Sequence, residues 1–304
     1  LVSSDPNDAT VLPVTYENLA RLDYTDEKLI FPGFFGVTKE GEIATFSRGG
    51  SDITGAIVAR GLNAELYENF TDVDAIYATD PRLVQDPYAV TKMTYREMRE
   101  LSYAGFSVFH DEAIVPAIEG RVKINVKNTN HPERPGTMII PYQEFTPITP
   151  ITGISSAKHF SALYLHKFLL NKETGFTLKI LNILYKYGIS YEHMPSGIDD
   201  LTIIFDNSQL TEAKRKAVSR DIRAVIQPDE LRWIDDYALI MVVGEGMINR
   251  IGIMKDVILA ISDHNINIHM INQGSSEVSI MLGTKSADAD KAVKYIYEAF
   301  FEQK

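Results

Sequence analysis

The chain of 304 residues contains no cysteine. Disulfides, thiolate metal sites and cysteine nucleophiles are therefore excluded, and the composition suits a cytoplasmic protein. Basic residues are in the minority: 30 Lys and Arg stand against 41 Asp and Glu, for a formal net charge of −11. Nucleic acids and anionic membranes need clustered positive charge, so neither is expected as a main partner. No apolar run approaches the ~18 residues of a membrane-spanning helix. Nor does a basic segment followed by an apolar core mark a secretory signal. Hydrophobic residues make up 45% of the chain, enough for a sizeable core in each of two or three domains.

One stretch organises the first half: Phe46-Ser47-Arg48-Gly49-Gly50-Ser51-Asp52-Ile53-Thr54-Gly55. The alternating Glu42 to Phe46 enters it as a strand. Ile53, Ala56, Ile57 and Leu62 leave it at helical spacing, with Gly61 as a stop. Paired glycines between strand and helix let backbone approach a ligand closely. Ser51 and Asp52 are candidate caps. An anion at the turn would meet free N–H groups, the positive helix end and the Arg48 guanidinium. The same residues also suit a plain strand-to-helix turn with an exposed arginine.

Before this stretch, Leu29 to Gly36 reads as a buried strand interrupted by Pro32-Gly33, and Lys39-Glu40-Gly41 supplies a hairpin turn. After it, Ala64 to Phe70 alternates as a strand and runs into Thr71-Asp72-Val73-Asp74-Ala75-Ile76-Tyr77-Ala78-Thr79-Asp80-Pro81-Arg82. A strand–helix–strand unit favours a parallel α/β sheet, whose ligands gather beyond the carboxyl ends of the strands. Asp72, Asp74, Tyr77 and Arg82 suit a nucleotide, and they equally suit a surface loop rich in turn formers. Thr94-Tyr95-Arg96-Glu97 is a capping box. A helix over 111–119 should be short or kinked at Pro116. Val122 to Lys127 and Gly136 to Pro141 read as closing strands, while His110 and His131 stand alone without metal-ligand spacing.

Beyond Pro147 and Pro150 two similar units follow. Gly175 and Gly252 lie 77 positions apart, as do Gly188 and Asn265, and Ser190 and Asn267. Each unit reads strand, helix, strand, strand, helix, with strands expected at Phe160–His166, Ile189–Met194 and Leu201–Phe205 in the first. The second should place them at Leu239–Val243, Ile266–Ile271 and Val278–Leu282. A duplicated βαββα unit of this ferredoxin-like kind suits a ligand sensor or a dimer surface.

Ser47 to Asp52, Thr71 to Asp74 with Asp80-Pro81-Arg82, Val243-Gly244-Glu245-Gly246-Met247, Asn265-Ile266-Asn267-Ile268 and Gln273-Gly274-Ser275-Ser276-Glu277 together resemble the aspartokinases of the lysine-sensitive type. The resemblance implies an α/β fold: part of an amino-acid kinase domain over 1–146, then two ferredoxin-like (βαββαβ) ACT domains. These cover 158–235 and 151–157 plus 236–304. It implies transfer of the γ-phosphate of ATP to the side-chain carboxylate of L-aspartate, the first step toward lysine, threonine and methionine. Mg²⁺ would be bound through the ATP phosphates, with no metal site of the protein's own. Asp52 is implied as the catalytic residue, Arg48 and Ser51 as aspartate-binding, and Thr71, Asp72, Tyr77, Arg82, Ser107 and Val108 as nucleotide-binding. Gly175, Phe176, Thr177, Glu192, Ser196 and Asp199 are implied to hold an effector amino acid, lysine first and threonine as the alternative. A homodimer through the ACT units is expected.

There are departures from the family pattern. Ser47 and Ala75 stand where glycine is usual, Ser107 where lysine is frequent and Asp111 where proline is usual. The family's Lys-x-Gly-Gly loop is not present in these residues. The chain therefore resembles an aspartokinase lacking the N-terminal part of its kinase domain, expected to be inactive in isolation. A non-catalytic amino-acid sensor is the alternative reading. One topological expectation follows from the second unit, which lacks a fourth strand of its own. Ile151 to Ser156 should cross over and pair inside it, making the first ACT unit an insertion within the second.

Overall fold

The computed structural model describes residues 1–5, 7–22, 28–46, 49–103, 105 and 114–302. In the first part, helix α1 (Pro13–Ala20) precedes a hairpin of β1 (Phe35–Val37) and β2 (Ile43–Thr45). Helix α2 (Gly50–Gly61) follows, then β3 (Leu66–Thr71), β4 (Ile76–Tyr77), β5 (Ala89–Val90) and β6 (Lys92–Thr94). Helices α3 (Tyr95–Tyr103) and α4 (Ile114–Gly120) lead to β7 (Lys123–Asn128) and β8 (Thr137–Ile140). The larger sheet has the order β3-β7-β8-β6, with β3 parallel to β7 and β7 antiparallel to β8.

Two local expectations change here, and one is met. The strand around Phe31 shrinks to β1, leaving Leu29, Ile30 and Phe34 exposed, because Pro32 cannot donate to a ladder. β2 and β3 belong to different sheets, so the parallel pairing at this edge comes from β3 with β7. The helix carrying Pro116 is short, as expected, with seven described residues, Ile114–Gly120.

The second part is one five-stranded antiparallel sheet. Its strands are β9 (Gly153–His166), β10 (Asp200–Asp206), β11 (Glu230–Val243), β12 (Met270–Gln273) and β13 (Ser279–Lys285), in the order β10-β9-β11-β13-β12. Helices α5 (Phe176–Lys186), α6 (Glu212–Ile226), α7 (Ile253–Ser262) and α8 (Ser286–Tyr297) cover it. The two segments expected at Ile151–Ser156 and Phe160–His166 are a single strand of 14 residues. Its start pairs Gly153 with Val243 and Ser156 with Ile240, alongside β13. Its end pairs Phe160 to His166 with β10, and Ala162 to His166 with Ile234 to Glu230. The crossover pairing therefore exists, carried by two long shared strands rather than by a separate one.

Ile189 to Met194 does not form a strand; isolated bridges at His193–Ile204 and Ser196–Leu201 stand in its place. Pro195 interrupts donation there. The strand expected at Ile266–Ile271 begins only at Met270. The repeat itself is conformational as well as sequential. Gly175 and Gly252 both sit at helix starts with φ of 73° and 98°, and Gly188 and Asn265 both adopt left-handed φ, 59° and 57°. Glycine and asparagine tolerate that region best.

Burial divides along the same line. Leu163, Leu165, Ile203, Phe205, Ile180 and Ile222 form a core private to β10, α5 and α6 with the ends of β9 and β11. The opposite ends of β9 and β11 pack with α7 and α8 into a core continuous with Met98, Leu101, Ile124 and Ile139 of the first part.

Candidate functional site

Gly49 begins α2 in the left-handed conformation, φ 84°, and no side chain caps the helix. The caps expected of Ser51 and Asp52 are not used, because Gly49 occupies the cap position. A side chain on Gly50 would meet the Phe34 ring at 2.7 Å and Phe46 Cβ at 3.1 Å, so the chain can turn this tightly only with glycine. Asp52 is half-buried in the first helical turn, where the helix dipole favours its charge. The amide of buried Asn69 donates from Nδ2 to Asp52 Oδ1 at 3.0 Å and reaches the Tyr67 hydroxyl oxygen at 2.9 Å. The Tyr67 hydroxyl in turn lies 3.3 Å from the Asp52 carbonyl. Burial pushes the Tyr67 hydroxyl up to about 12, with the neighbouring Asp52 charge adding to the shift, so it stays protonated as a donor. The buried amide holds the Asp52 carboxylate against β3 rather than leaving it free to swing. Ser51 is exposed beside it. Arg48 and Ser47 lie outside the described residues.

The parallel pair β3 and β7 ends with Thr71 opposite Asn128. At this carboxyl edge the Thr71 hydroxyl donates to exposed Asp72 at 3.2 Å, and Asn128 Nδ2 donates to Asp74 Oδ1 at 2.7 Å. Arg134 closes on the other oxygen of Asp74. Asn128 and Arg134 were not singled out from the sequence. The strand register, which places Asn128 beside Thr71, is the signal that finds them. Tyr77 is half-buried on β4. Arg82 behaves differently: its Nε and Nη2 hold Asp80, with Nη2 2.5 Å from Oδ2. It lines a cavity of about 410 Å³ that Lys158 and Asp290 of the second part complete, and that Thr71, Asp72 and Tyr77 do not line. Ser107 and Val108 lie outside the described residues, as does His110.

The pattern of these residues matches known proteins. A model of the amino acid kinase family matches residues 2–128, and a model of the ACT domain matches 240–300. Aspartokinase 3 of Bacillus subtilis is 49% identical over 300 residues, which is 99% of this chain and 66% of that protein. The chain belongs to the aspartokinase family. Among solved structures, Clostridium acetobutylicum aspartate kinase is 43% identical with a TM-score of 0.88, over 94% of this chain and 66% of that one. Escherichia coli aspartokinase III, in a crystal with aspartate and ADP, shares the fold with a TM-score of 0.81 at 22% identity, over 99% of this chain and 67% of that one. This aspartokinase chain thus spans about two thirds of the length of the relatives it matches.

The second part of the chain carries the remaining expected site residues. Gly175 starts α5, with Phe176 and Thr177 half-buried behind it and Ser196 exposed across the Pro195–Gly197 turn. Asp199 Oδ1 accepts from the Leu169 N–H at 2.9 Å. Glu192 accepts from the hydroxyl of Tyr103, the last residue of α3, and His193 packs edge-on to that ring at 5.9 Å. Both expected acids are therefore engaged, and Glu192 is tied to the kinase part, a contact with no sequence signal. Burial pulls His193 down from the ordinary histidine value and pushes the Tyr103 hydroxyl up.

A second cross-link between the two parts is fully buried. Glu97 Oε2 accepts from Thr94 N at 2.7 Å, and its Oε1 accepts from Thr152 Oγ1 at 2.6 Å and Glu245 N at 2.8 Å. The Glu97 N–H returns a bond to Thr94 Oγ1 at 3.1 Å, so the capping box exists as read. Glu245, also buried, accepts from Thr94 Oγ1 at 3.0 Å and from Arg96 Nη2 at 2.6 Å. Among the described residues no group of three His, Asp or Glu could hold a metal ion, and no helix is long and apolar enough to cross a membrane.

Proposed function

We propose that the protein containing this chain is an aspartate kinase, transferring the γ-phosphate of ATP to the side-chain carboxylate of L-aspartate to give 4-phospho-L-aspartate. The observation that carries this is the Gly49–Gly50 turn with Asp52 held by buried Asn69. Phosphoryl transfer needs positioning and charge neutralisation more than covalent help. Arg48 and Ser51 would hold a carboxylate of aspartate at the helix start. Asp52, fixed by its amide, would orient the cationic groups around the transferring phosphoryl.

The β3–β7 edge fits a nucleotide. Thr71 and the exposed Asp72 carboxylate suit ribose hydroxyls, and Tyr77 offers a ring. Ser107 and Val108 would complete the nucleotide contacts. Arg82 reaches phosphate only by leaving Asp80, which makes it the weakest fit of the set. ATP supplies the phosphoryl group, with Mg²⁺ carried on its phosphates.

Residues 1–146 form the C-terminal part of the kinase domain in this reading, with 158–235 one ACT domain and 151–157 plus 236–304 the other. A cytoplasmic homodimer through the ACT units completes it. In full-length protein, Asp52→Asn is expected to lower kcat about 10²-fold, measured by trapping the acyl phosphate with hydroxylamine. A kcat within twofold of wild type, with the fold intact, overturns the role.

Lysine is the proposed effector, with threonine as the alternative, held by Gly175, Phe176, Thr177, Glu192, Ser196 and Asp199. The N–H groups at the α5 start suit its carboxylate and the acids suit its amines. Calorimetry on the folded chain should give saturable lysine heats that weaken at least tenfold in Asp199→Ala. No heat with either amino acid removes the assignment.

A further inference from the structure

Two arginines of α3 remain unexplained by the kinase and effector readings. Arg96 and Arg99 are three residues apart on one helix, so their side chains share a face. Both are exposed, and both line a cavity of about 640 Å³ between α3 and the second regulatory unit. The far wall is the exposed turn carrying Ser275 and Ser276, and Tyr142 forms a third side. Arg96 spends its Nε and Nη2 on Glu245, at 3.2 and 2.6 Å, and its guanidinium carbon lies 5.9 Å from the Tyr142 ring centre. Arg99 has no ion-pair partner among the described residues. The cavity therefore holds two guanidinium groups against the single lining carboxylate of Glu245, in a chain whose net charge is −11.

We propose that this cavity is a binding site for a small doubly charged oxyanion, clamped between Arg99 and the free edge of Arg96 on one side and the hydroxyls of Ser275 and Ser276 on the other. Guanidinium groups present planar N–H forks to such groups, and pairing there relieves the repulsion of two like charges on one helix face. The anion would lock α3 to the turn of the second regulatory unit. It would do so beside the buried contacts of Glu245 with Thr94 and Glu97, since Thr94 and Glu245 also line the cavity. Its chemistry is shared by phosphoryl groups and dicarboxylates.

The test is calorimetry on the whole chain at constant ionic strength, with inorganic phosphate in one arm and malonate in the other. Saturable binding is expected in at least one arm, and the tighter arm identifies the source as phosphoryl or carboxylate. Arg99→Gln should weaken it at least tenfold, with Arg99→Lys recovering part of the loss. Ser275→Ala combined with Ser276→Ala should weaken it at least threefold. Circular dichroism checks that each variant is folded. No binding in either arm, or equal binding by wild type and Arg99→Gln, overturns the site. Loss with Arg99→Gln but not with the serine pair overturns the clamp.

Discussion

Glu97→Ala is expected to destabilise the chain by about 3–5 kcal/mol, since it strands three buried donors at once. Thr94 N, Thr152 Oγ1 and Glu245 N all point at this one carboxyl group, and none has water to turn to. The loss should be local to one core. Trp233 packs on the other core, beside Phe205, so its fluorescence follows the β10, α5 and α6 unit. Urea unfolding followed by circular dichroism should therefore move earlier in the variant, ahead of the Trp233 transition. An unchanged midpoint would show that the carboxyl group is dispensable.

The same residue sets a pH trend. Burial raises Glu97 above its ordinary value of 4.5, against the pull of Thr152 and the two backbone donors. With the folded value above the unfolded one, the folded state binds the extra proton. The associated stability is full below the ordinary glutamate range and is lost as pH rises through the raised value. Glu97→Gln should flatten that slope.

Gly246→Ala should cost about 2–3 kcal/mol through overpacking alone. A Cβ there would lie 2.8 Å from the Pro150 carbonyl oxygen and closer still to that of Thr149. Neighbouring Gly244 is as confined, with Ile151 Cα at 2.6 Å. These are main-chain atoms of the segment joining the two parts, so the only relief is to push that segment off the regulatory sheet. A lower thermal midpoint and faster thermolysin cleavage near 146–150 are the expected readings. Gly188→Ala is the control: nothing lies within 4 Å of its Cβ position, and only its left-handed φ of 59° opposes alanine. That cost is about 1–2 kcal/mol. Equal stability of Gly246→Ala and wild type would mean the segment does not pack as described.

Local signals in the sequence proved reliable where the chemistry is itself local. The Thr94–Glu97 box and the hairpin at Gly41 each depend on a few neighbouring residues. The 77-residue repeat exposed the duplication because each unit needs the same turn at the same place. What could not be read were partners set by register. Asn69 reaches Asp52 across a helix and a strand, Asn128 meets Asp74 from 54 positions away, and Tyr103 finds Glu192 from 89. Ile189 to Met194 misled because only Ile189 is buried and Pro195, lacking an N–H, does not extend the bridge at His193 into a ladder. Arg82 misled in another way: a basic residue in a nucleotide-like loop found its counter-charge two residues back, in Asp80.

Long strands β9 and β11 tie the two cores of the second part together. Each runs 14 residues, roughly 45 Å when extended. They lie side by side through both cores, with register shifts between Ile234 and Leu239 as the one irregularity. Such a pair is a torsion beam. A twist applied at the β10 end would have one continuous strand pair to follow, interrupted only by the irregularity between Ile234 and Leu239. At the other end the Ile154 N–H bonds the carbonyl of Ala78 at 2.7 Å, holding the loop that carries Asp80 and Arg82. The β10 end is thus joined to the loop carrying Asp80 and Arg82 by continuous backbone hydrogen bonding.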